Sequence, residues 1–377
     1  MKIGIPTFGA DGGKSGISSY LIEILKQFAQ IGVEGEVLVY PDEEQLFLPQ
    51  GQHGLKPSYL SPIVRKPLPN LLYTQAVLPI RAALAKYDVL FLPAGNRRLP
   101  FFSGCPTAGV VHDLASIHVA NKYDSYRLFY IKKVLPLLIR RLDEVITISE
   151  FSKNDILNFV GVPEERVHVI PLAVNHQVYR PQDKLECYEK VRAGYDLKGP
   201  YFLYISRIEH PGKNHYQLIE AFDLFKEEHK LPHQLLLAGG DWDRAEEVHR
   251  RAEESAFSSD IIFTGFAPRD LIPALYGGAK ALIFPSLFEG FGLPILEAMA
   301  CGVPVACSRR ASLPEVAGDA GLLFDPDQAE SIAEILSKLA LNESLRQDLR
   351  EKGLLRAAGY NWRRTAEETL KILEGLA

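Results

Sequence analysis

The segment Phe284-Pro-Ser-Leu-Phe-Glu289-Gly-Phe-Gly-Leu-Pro-Ile-Leu-Glu297-Ala-Met-Ala-Cys-Gly302 places two carboxylates on either side of a glycine-rich turn. Gly290 and Gly292 permit a tight backbone path after a strand, and Pro294 suits the first turn of a helix. The N–H groups of Phe291, Gly292 and Leu293 would then stand at a helix N-terminus as donors to an anion. Glu289 lies before that turn and Glu297 about one helical turn inside it, so the two carboxylates would meet a ligand from opposite sides of the cradle. A carboxylate accepts two hydrogen bonds from a vicinal diol; one on a ribose and one on a hexose would bracket a nucleotide sugar. A strand–helix junction with two solvated carboxylates is the reading without function.

A second glycine-rich stretch, Gly9-Ala-Asp-Gly-Gly-Lys-Ser-Gly16, follows the first strand-like run and precedes a helical pattern, where a phosphate can rest on free backbone N–H groups. It is not a P-loop: Gly13-Lys14-Ser15 would need glycine at position 8, which is Phe8. No G-x-G-x-x-G fits through these glycines either. A turn without a ligand stays open as the alternative.

The elements that must position these residues alternate along the whole chain, short apolar β-type runs with amphipathic helical stretches, as expected of parallel sheets covered by helices. The fold class predicted is α/β, with two doubly wound, Rossmann-like sheets. The first half has strand patterns at Lys2–Phe8, Glu36–Tyr40, Val89–Pro93, Ala108–His112, Glu144–Ile148 and His168–Pro171, and helical patterns near Gly16–Ile31, Leu71–Lys86, Tyr126–Arg141 and Ser152–Phe159. Gln45–Pro69 is rich in Pro and Gly, weakly periodic, and reads as loop or irregular structure. A second series has strands at Tyr201–Ile205, Gln234–Ala238, Ile261–Thr264, Ala281–Pro285, Pro304–Ala306 and Gly321–Phe324. The reading is an N-terminal domain over 1–173 and a C-terminal one over 174–359, with a last helix over 360–377 packing back toward the first. Two such sheets facing each other would form their site in the cleft between them, outside the carboxyl ends of the strands.

Composition sets the bounds: 377 residues, 47% hydrophobic and 24% charged, favour two folded domains over a fibrous or disordered chain. No apolar run is long enough to span a membrane, and KIGIPTF after Met1 is strand-like rather than a secretion signal. The four cysteines have no zinc-ligand spacing, so a reducing, cytoplasmic location is the expectation. To Arg180 there are 19 Lys and Arg against 16 Asp and Glu; the remainder has 23 against 31. This mild asymmetry speaks against nucleic acid as a partner and leaves room for an anionic substrate or a peripheral membrane surface at the N-terminal half.

The Glu289–Glu297 segment, with its GFGLP core and the downstream Glu297-Ala-Met-Ala-Cys-Gly-Val-Pro-Val, resembles the Glu-x7-Glu motif of the retaining glycosyltransferases of family four. The likeness runs on through Ser312-Leu-Pro-Glu-Val and Gly318–Pro326 to Tyr360-Asn-Trp362, and so covers nearly all of the second half. It implies the GT-B fold, two facing Rossmann-like domains. By this resemblance Glu289 contacts the transferred sugar, Glu297 the ribose hydroxyls, and the turn at Phe291, Gly292 and Leu293 the sugar and diphosphate. It also assigns the diphosphate to Arg207 and Lys213 of Ser206-Arg207-Ile-Glu-His-Pro-Gly-Lys213-Asn214, in a loop one residue longer than the family's commonest form. Two cations in a low-dielectric cleft would neutralise the leaving diphosphate without a metal or other cofactor.

In the first half, Val110-Val-His112-Asp113 matches the family's His-Asp at a strand end, and Ile146-Thr-Ile-Ser149-Glu150 and Val160-Gly-Val-Pro163 match the run into the linker. The likeness implies that His112 lies near the anomeric carbon and that Gly16 meets the diphosphate. Asn96 and Arg97, with Arg98, follow the strand at Val89 and are candidates for an acceptor phosphate or carboxylate. The pattern at Tyr126–Arg141 combines Lys132, Lys133, Arg140 and Arg141 with leucines and is a candidate membrane contact, or a core helix with a charged outer face.

The implied activity is retaining transfer of a hexose from a nucleoside diphosphate sugar, UDP slightly favoured over GDP, to a saccharide or polyprenyl-linked saccharide hydroxyl, as in polysaccharide synthesis. A nucleotide-sugar epimerase of the same fold is the alternative, which product analysis separates. A P-loop nucleotidase is more remote, because the glycine spacing fails and Glu289 and Glu297 would go unexplained.

Overall fold

A computed structural model describes all residues except Asp11, Lys14, 49–53, Asn96 and 119–128. The chain divides into two compact units, Met1–Leu172 with Asn361–Ala377, and Ala173–Tyr360.

The first unit holds a seven-stranded sheet of β1 (Lys2–Pro6), β2 (Glu34–Val39), β3 (Leu55–Tyr59), β4 (Val89–Leu92), β5 (Thr107–Val110), β6 (Glu144–Thr147) and β7 (Val167–Val169), in the order β3-β2-β1-β4-β5-β6-β7. Every pairing is parallel, from Lys2 opposite Glu34 to Thr147 opposite Val169. Parallel strands are buried on both faces, which is why β4 reads Val-Leu-Phe-Leu with no polar alternation. The helix Gly16–Ile31 begins at Ser15, whose Oγ accepts the Ser18 N–H, and stops at Gly32, left-handed with φ 88°. Its buried stripe of Tyr20, Leu21, Ile24, Leu25 and Phe28 has helical spacing. The C-terminal helix Trp362–Leu376 packs on that helix, with the Trp362 ring 6.1 Å from that of Tyr20.

The reading of Gln45–Pro69 as loop is corrected. The helical turn Glu44–Phe47 runs into it, and it holds the edge strand β3, a 3-10 turn at Pro62–Arg65 and the start of a helix at Pro67. The strand was hidden because Leu-Lys-Pro-Ser-Tyr is mostly exposed and carries a proline, which an edge strand tolerates and a central one does not. The pattern at Leu71–Lys86 starts earlier, at Pro67, and is interrupted by a π turn over Tyr73–Val77. A like π turn, Tyr130–Val134, breaks the pattern at Tyr126–Arg141, whose first residues lie outside the described ones. Both turns end two residues before a proline, Pro79 and Pro136. A proline inside a helix has no N–H and clashes with the carbonyl four residues back, and a locally widened turn relieves both.

The second unit holds a six-stranded parallel sheet of β8 (Tyr201–Ile205), β9 (Gln234–Ala238), β10 (Ile261–Gly265), β11 (Ala281–Phe284), β12 (Val305–Ser308) and β13 (Gly321–Phe324), ordered β10-β9-β8-β11-β12-β13. The chain winds outward from β8 through β9 to β10, then crosses to β11 and winds the other way. The reversal falls between β8 and β11, which pair through Phe202–Ala281 and Leu203–Leu282. The corresponding reversal in the first unit falls between β1 and β4. Loops at the carboxyl ends of strands flanking such a reversal diverge and leave a crevice, the usual ligand position in open α/β sheets. The sequence reading missed the helices Lys184–Arg192 and Leu313–Ala317. The first has few apolar residues, and the second is a single short turn.

Candidate active site

In the second unit, the two loops that leave the reversal carry the residues singled out from the sequence. The loop after β8 delivers Arg207 and Lys213, and the loop after β11 delivers Glu289. Lys213 Nζ lies 2.6 Å from Glu289 Oε1, with both side chains largely buried. The two loops are stitched together: the Leu287 N–H donates to the Gly212 carbonyl at 3.0 Å, and Asn214 Nδ2 donates to the carbonyls of Pro285 (3.2 Å) and Pro326 (2.7 Å). Asn214 is left-handed, φ 59°, a conformation asparagine tolerates better than most residues. From below, the buried Tyr204 hydroxyl on β8 donates to the Lys213 carbonyl and shares a 2.9 Å contact with Ser286 Oγ. The additional loop residue therefore does not carry Lys213 away from Glu289.

Arg207 is half exposed, its guanidinium 4.9 Å from the Trp242 ring and 3.5 Å from the buried Glu209 carboxylate. Stacking and charge hold the fork while leaving it open to a second anion.

The turn between the glutamates is built as its glycines required. Gly292 has φ 102°, and a Cβ there would lie 2.7 Å from Leu313 Cδ2, so only glycine fits. Leu293 opens the helix Leu293–Ala300; Pro294 has no N–H and the Ile295 N–H is taken by the Gly292 carbonyl at 3.0 Å, which leaves the Leu293 N–H as the first-turn donor without an acceptor in the helix. Phe291 is buried beneath it, 6.0 Å from the Tyr360 ring. Ser312, which the sequence reading gave no role of its own, donates to the carbonyls of both Glu289 (2.8 Å) and Phe291 (3.0 Å) and so fixes the turn.

Glu297, one turn into the helix, is gripped by two tyrosines that sequence reasoning missed. The Tyr276 hydroxyl donates to Glu297 Oε2 at 2.7 Å, the Tyr179 hydroxyl also bonds this carboxylate, and the two rings meet edge to face at 6.0 Å. Burial pushes the Glu297 carboxyl above its ordinary range, and the two hydroxyl donors pull it back. Both phenols are raised by burial and then by the adjacent carboxylate. Nothing in the local sequence around Tyr179, in the linker, marks it as a partner of Glu297.

In the first unit the same topology gathers the other candidates. Gly9 (φ 85°) follows β1, and a Cβ on it would meet Arg97 Cδ at 2.9 Å, so the Arg97 stem from the loop after β4 lies against the glycine-rich turn. Arg98 instead bonds Asn70 Oδ1 at 3.1 Å; Asn96 and Lys14 lie outside the described residues. A Cβ on Gly16 would meet nothing within 4 Å and its φ is ordinary, so neither strain nor crowding requires glycine there; its bare surface leaves room over the helix N-terminus. His112, just past β5, is buried, with Nε2 2.9 Å from the Pro93 carbonyl and its ring edge to face with Tyr20 at 5.0 Å. Burial lowers its pKa, so the imidazole is neutral at pH 7. Its Nε2 is held by a backbone carbonyl, which fixes the ring orientation.

A hollow of about 620 Å³ in the first unit is lined by Pro100–Thr107 and Arg141–Asp143. It opens at the amino ends of β5 and β6, the opposite end of the sheet from these loops. Among the described residues no cluster of three His, Cys, Asp or Glu is placed to hold a metal ion.

Two parallel, doubly wound units with their polar loops at the strand reversals define the GT-B architecture. HepE from Anabaena, solved with UDP-glucose, superposes with a TM-score of 0.78 at 20% identity over the full length of both chains. Residues 14–178 match the family model described as glycosyltransferase family 4, and residues 189–356 that of glycosyl transferases group 1. O-antigen chain mannosyltransferase B of Escherichia coli is 32% identical over 259 residues, which are 69% of this chain and 68% of that protein. The serotype-specific mannosyltransferase WbdA, also of Escherichia coli, is 32% identical over 280 residues; there the matched region spans 33% of the relative's length. The chain belongs to glycosyltransferase family four and is by class a hexosyltransferase.

Proposed function

We propose that this protein transfers a hexose, with mannose the favoured sugar, from a nucleoside diphosphate donor to a hydroxyl of a saccharide or lipid-linked saccharide, with retention at the anomeric carbon. The observation that carries the reading is the Lys213–Glu289 pair at 2.6 Å beside a glycine turn whose far side presents Glu297. The mannosyltransferase relatives support the sugar, and the UDP-glucose held by HepE supports a uridine donor.

In this reading Glu297, oriented by Tyr179 and Tyr276, accepts hydrogen bonds from the ribose hydroxyls. Arg207, Lys213 and the N–H groups of the turn hold the diphosphate. The bond from C1 to the β-phosphate oxygen breaks and its electron pair passes to the diphosphate, whose charge the two cations neutralise. The acceptor oxygen bonds C1 from the same face and its proton passes to the departing phosphate. Glu289 positions the hexose and stabilises the positive charge that develops at C1. His112, neutral and with its Nε2–H donated to the Pro93 carbonyl, leaves Nδ1 to accept a hydrogen bond from a sugar hydroxyl, with Gly16 making room for the phosphates. The two cations do the work that a divalent metal does elsewhere, so transfer is expected to persist in EDTA.

The test is product analysis with UDP- and GDP-hexoses and saccharide acceptors. A new glycosidic bond with the donor's anomeric configuration supports the reading. Conversion of the donor sugar without an acceptor would replace it with an epimerase.

A further inference from the structure

In the second unit, at the amino ends of β8 and β11 and so a strand's length from the loops that carry Arg207, Lys213 and Glu289, the surface holds a hollow of about 470 Å³. Most of its lining is apolar: Leu185 and Tyr188 on the helix Lys184–Arg192, Pro200 ahead of β8, and Gly278 at the end of the helix Ile272–Gly278. A Cβ on Gly278 would lie 2.7 Å from the Tyr201 hydroxyl and 3.0 Å from the Tyr188 backbone, so the two helices meet there with no room to spare. The Tyr188 ring is fixed, stacked on Tyr201 at 6.3 Å with its hydroxyl donating to the Gly199 carbonyl at 3.1 Å. Leu185 stands at the edge, 68% exposed. A rigid apolar depression open to water suits a ligand with an apolar body.

Two lysines complete the lining, Lys184 at the start of one helix and Lys280 just ahead of β11. Among the described residues neither ammonium group has an ion pair or a hydrogen bond. The carboxylates at hand are engaged elsewhere. Asp183 caps the helix by accepting the Glu186 N–H at 2.9 Å, and Glu343 pairs with Arg346, whose guanidinium also donates to the carbonyls of Leu339 and Ala340. Partial burial lowers the proton affinity of Lys184, and the charges of Lys280, Arg346 and Arg350 lower it further against the pull of Glu343. Lys280 is lowered by burial and then by Arg346. Cations gathered in this way repel one another, and an anion placed among them relieves the repulsion. A lysine lays its stem along apolar surface and keeps its ammonium at the water's edge, so the hollow joins an apolar wall to a basic rim.

We propose that this hollow binds a phosphate monoester with an apolar body, its phosphate between Lys184 and Lys280 and its body against Leu185, Tyr188 and Pro200. Two ammonium groups match the nearly double negative charge of a monoester, which a carboxylate does not carry. The walls of the hollow belong to the same elements that grip Glu297: Tyr276 lies two residues before Gly278, and Tyr179 five residues before Lys184. An occupant therefore bears on the segments that orient that carboxylate. The site does not depend on the donor or acceptor reading, and its test uses neither.

The test is calorimetric titration of the full chain with n-hexyl phosphate and, separately, with inorganic phosphate. Hexyl phosphate is expected to bind at least about tenfold more tightly than inorganic phosphate, the gain from burying roughly two methylene groups. The double variant Lys184→Met, Lys280→Met is expected to bind it at least about tenfold more weakly, with thermal melting confirming that the variant folds. Leu185→Asp, at an exposed position, is expected to weaken hexyl phosphate as well and keeps the test valid should the double variant melt early. Arg207→Ala is expected to bind hexyl phosphate as the wild type does. No binding by the wild type, equal affinity in the folded lysine variant or in Leu185→Asp, or equal affinity for the two phosphates would overturn the proposal. So would loss of binding in Arg207→Ala, because the phosphate would then sit on the loops at the other end of the sheet.

Discussion

Lys213 and Glu289 neutralise each other at 2.6 Å in a largely buried setting. Substituting either strands the other, an arrangement that costs more than the pair itself contributes. Glu289→Gln keeps shape and removes charge; transfer turnover is expected to fall by about two to three orders of magnitude while nucleoside diphosphate affinity stays within a few-fold, measured by steady-state kinetics and calorimetry. Glu297 carries the pH dependence. Its raised carboxyl binds a proton more readily in the folded chain than in the unfolded one. Its contribution to stability is therefore full at low pH and is lost as pH rises through that raised value. Glu297→Gln is accordingly expected to melt no lower than wild type at neutral pH while binding nucleotide more weakly. Tyr276→Phe removes a donor that holds the carboxylate ionised, so the acid limb of nucleotide affinity should move to higher pH, read by titrating binding against pH. The two glutamates were legible from their glycine-rich setting, and Arg207 and Lys213 from their place after a strand and the family resemblance. Tyr179 and Tyr276 were not, because a lone tyrosine in a linker or a helix is ordinary until the fold sets its hydroxyl on a carboxylate.

The loops after β8 and β11 are rigid because backbone, not side chains alone, joins them: Gly212 to Leu287, Asn214 to Pro285 and Pro326, Ser312 to Glu289 and Phe291. Gly292→Ala would combine a left-handed backbone with a collision on Leu313 and should destabilise the chain by about 1–3 kcal/mol, measured by denaturant unfolding. The central strands were readable because burial on both faces leaves uninterrupted apolar runs, as in Tyr201–Ile205 and Gln234–Ala238. β3 escaped because an exposed edge strand with Pro57 has neither such a run nor a clean alternation. The widened turns ahead of Pro79 and Pro136 escaped for a different reason: a period of 3.6 fits the sequence on each side but not across them.

The two units share a winding scheme, and each reversal in strand order sends out the loops that carry the candidate residues, Gly9 and Arg97 in one, Arg207, Lys213 and Glu289 in the other. This alternation was visible in the order of strand and helix patterns alone. The second unit also stores an acid sensitivity in its core. Burial pulls His215 down to about 3 and His233 to about 4, so both are neutral inside while the unfolded chain would protonate them. Stability from these residues is present above about pH 6.5 and is lost as pH falls toward 4. His233 stacks flat on Phe202 at 5.3 Å, so His233→Phe should preserve packing and flatten the acid loss of melting temperature, recorded by thermal melts across that range.

Glu297 and the turn beside it are proposed to hold a nucleoside diphosphate. This binding is tested most directly by calorimetric titration of UDP, GDP, ADP and dTDP into wild type and Glu297→Ala, with EDTA present. One diphosphate is expected to bind, and the variant to bind it at least about tenfold more weakly, because a carboxylate that accepts hydroxyl hydrogen bonds contributes about 1.5–3 kcal/mol. Equal affinity in the two proteins, or no binding of any diphosphate by the wild type, would contradict the account.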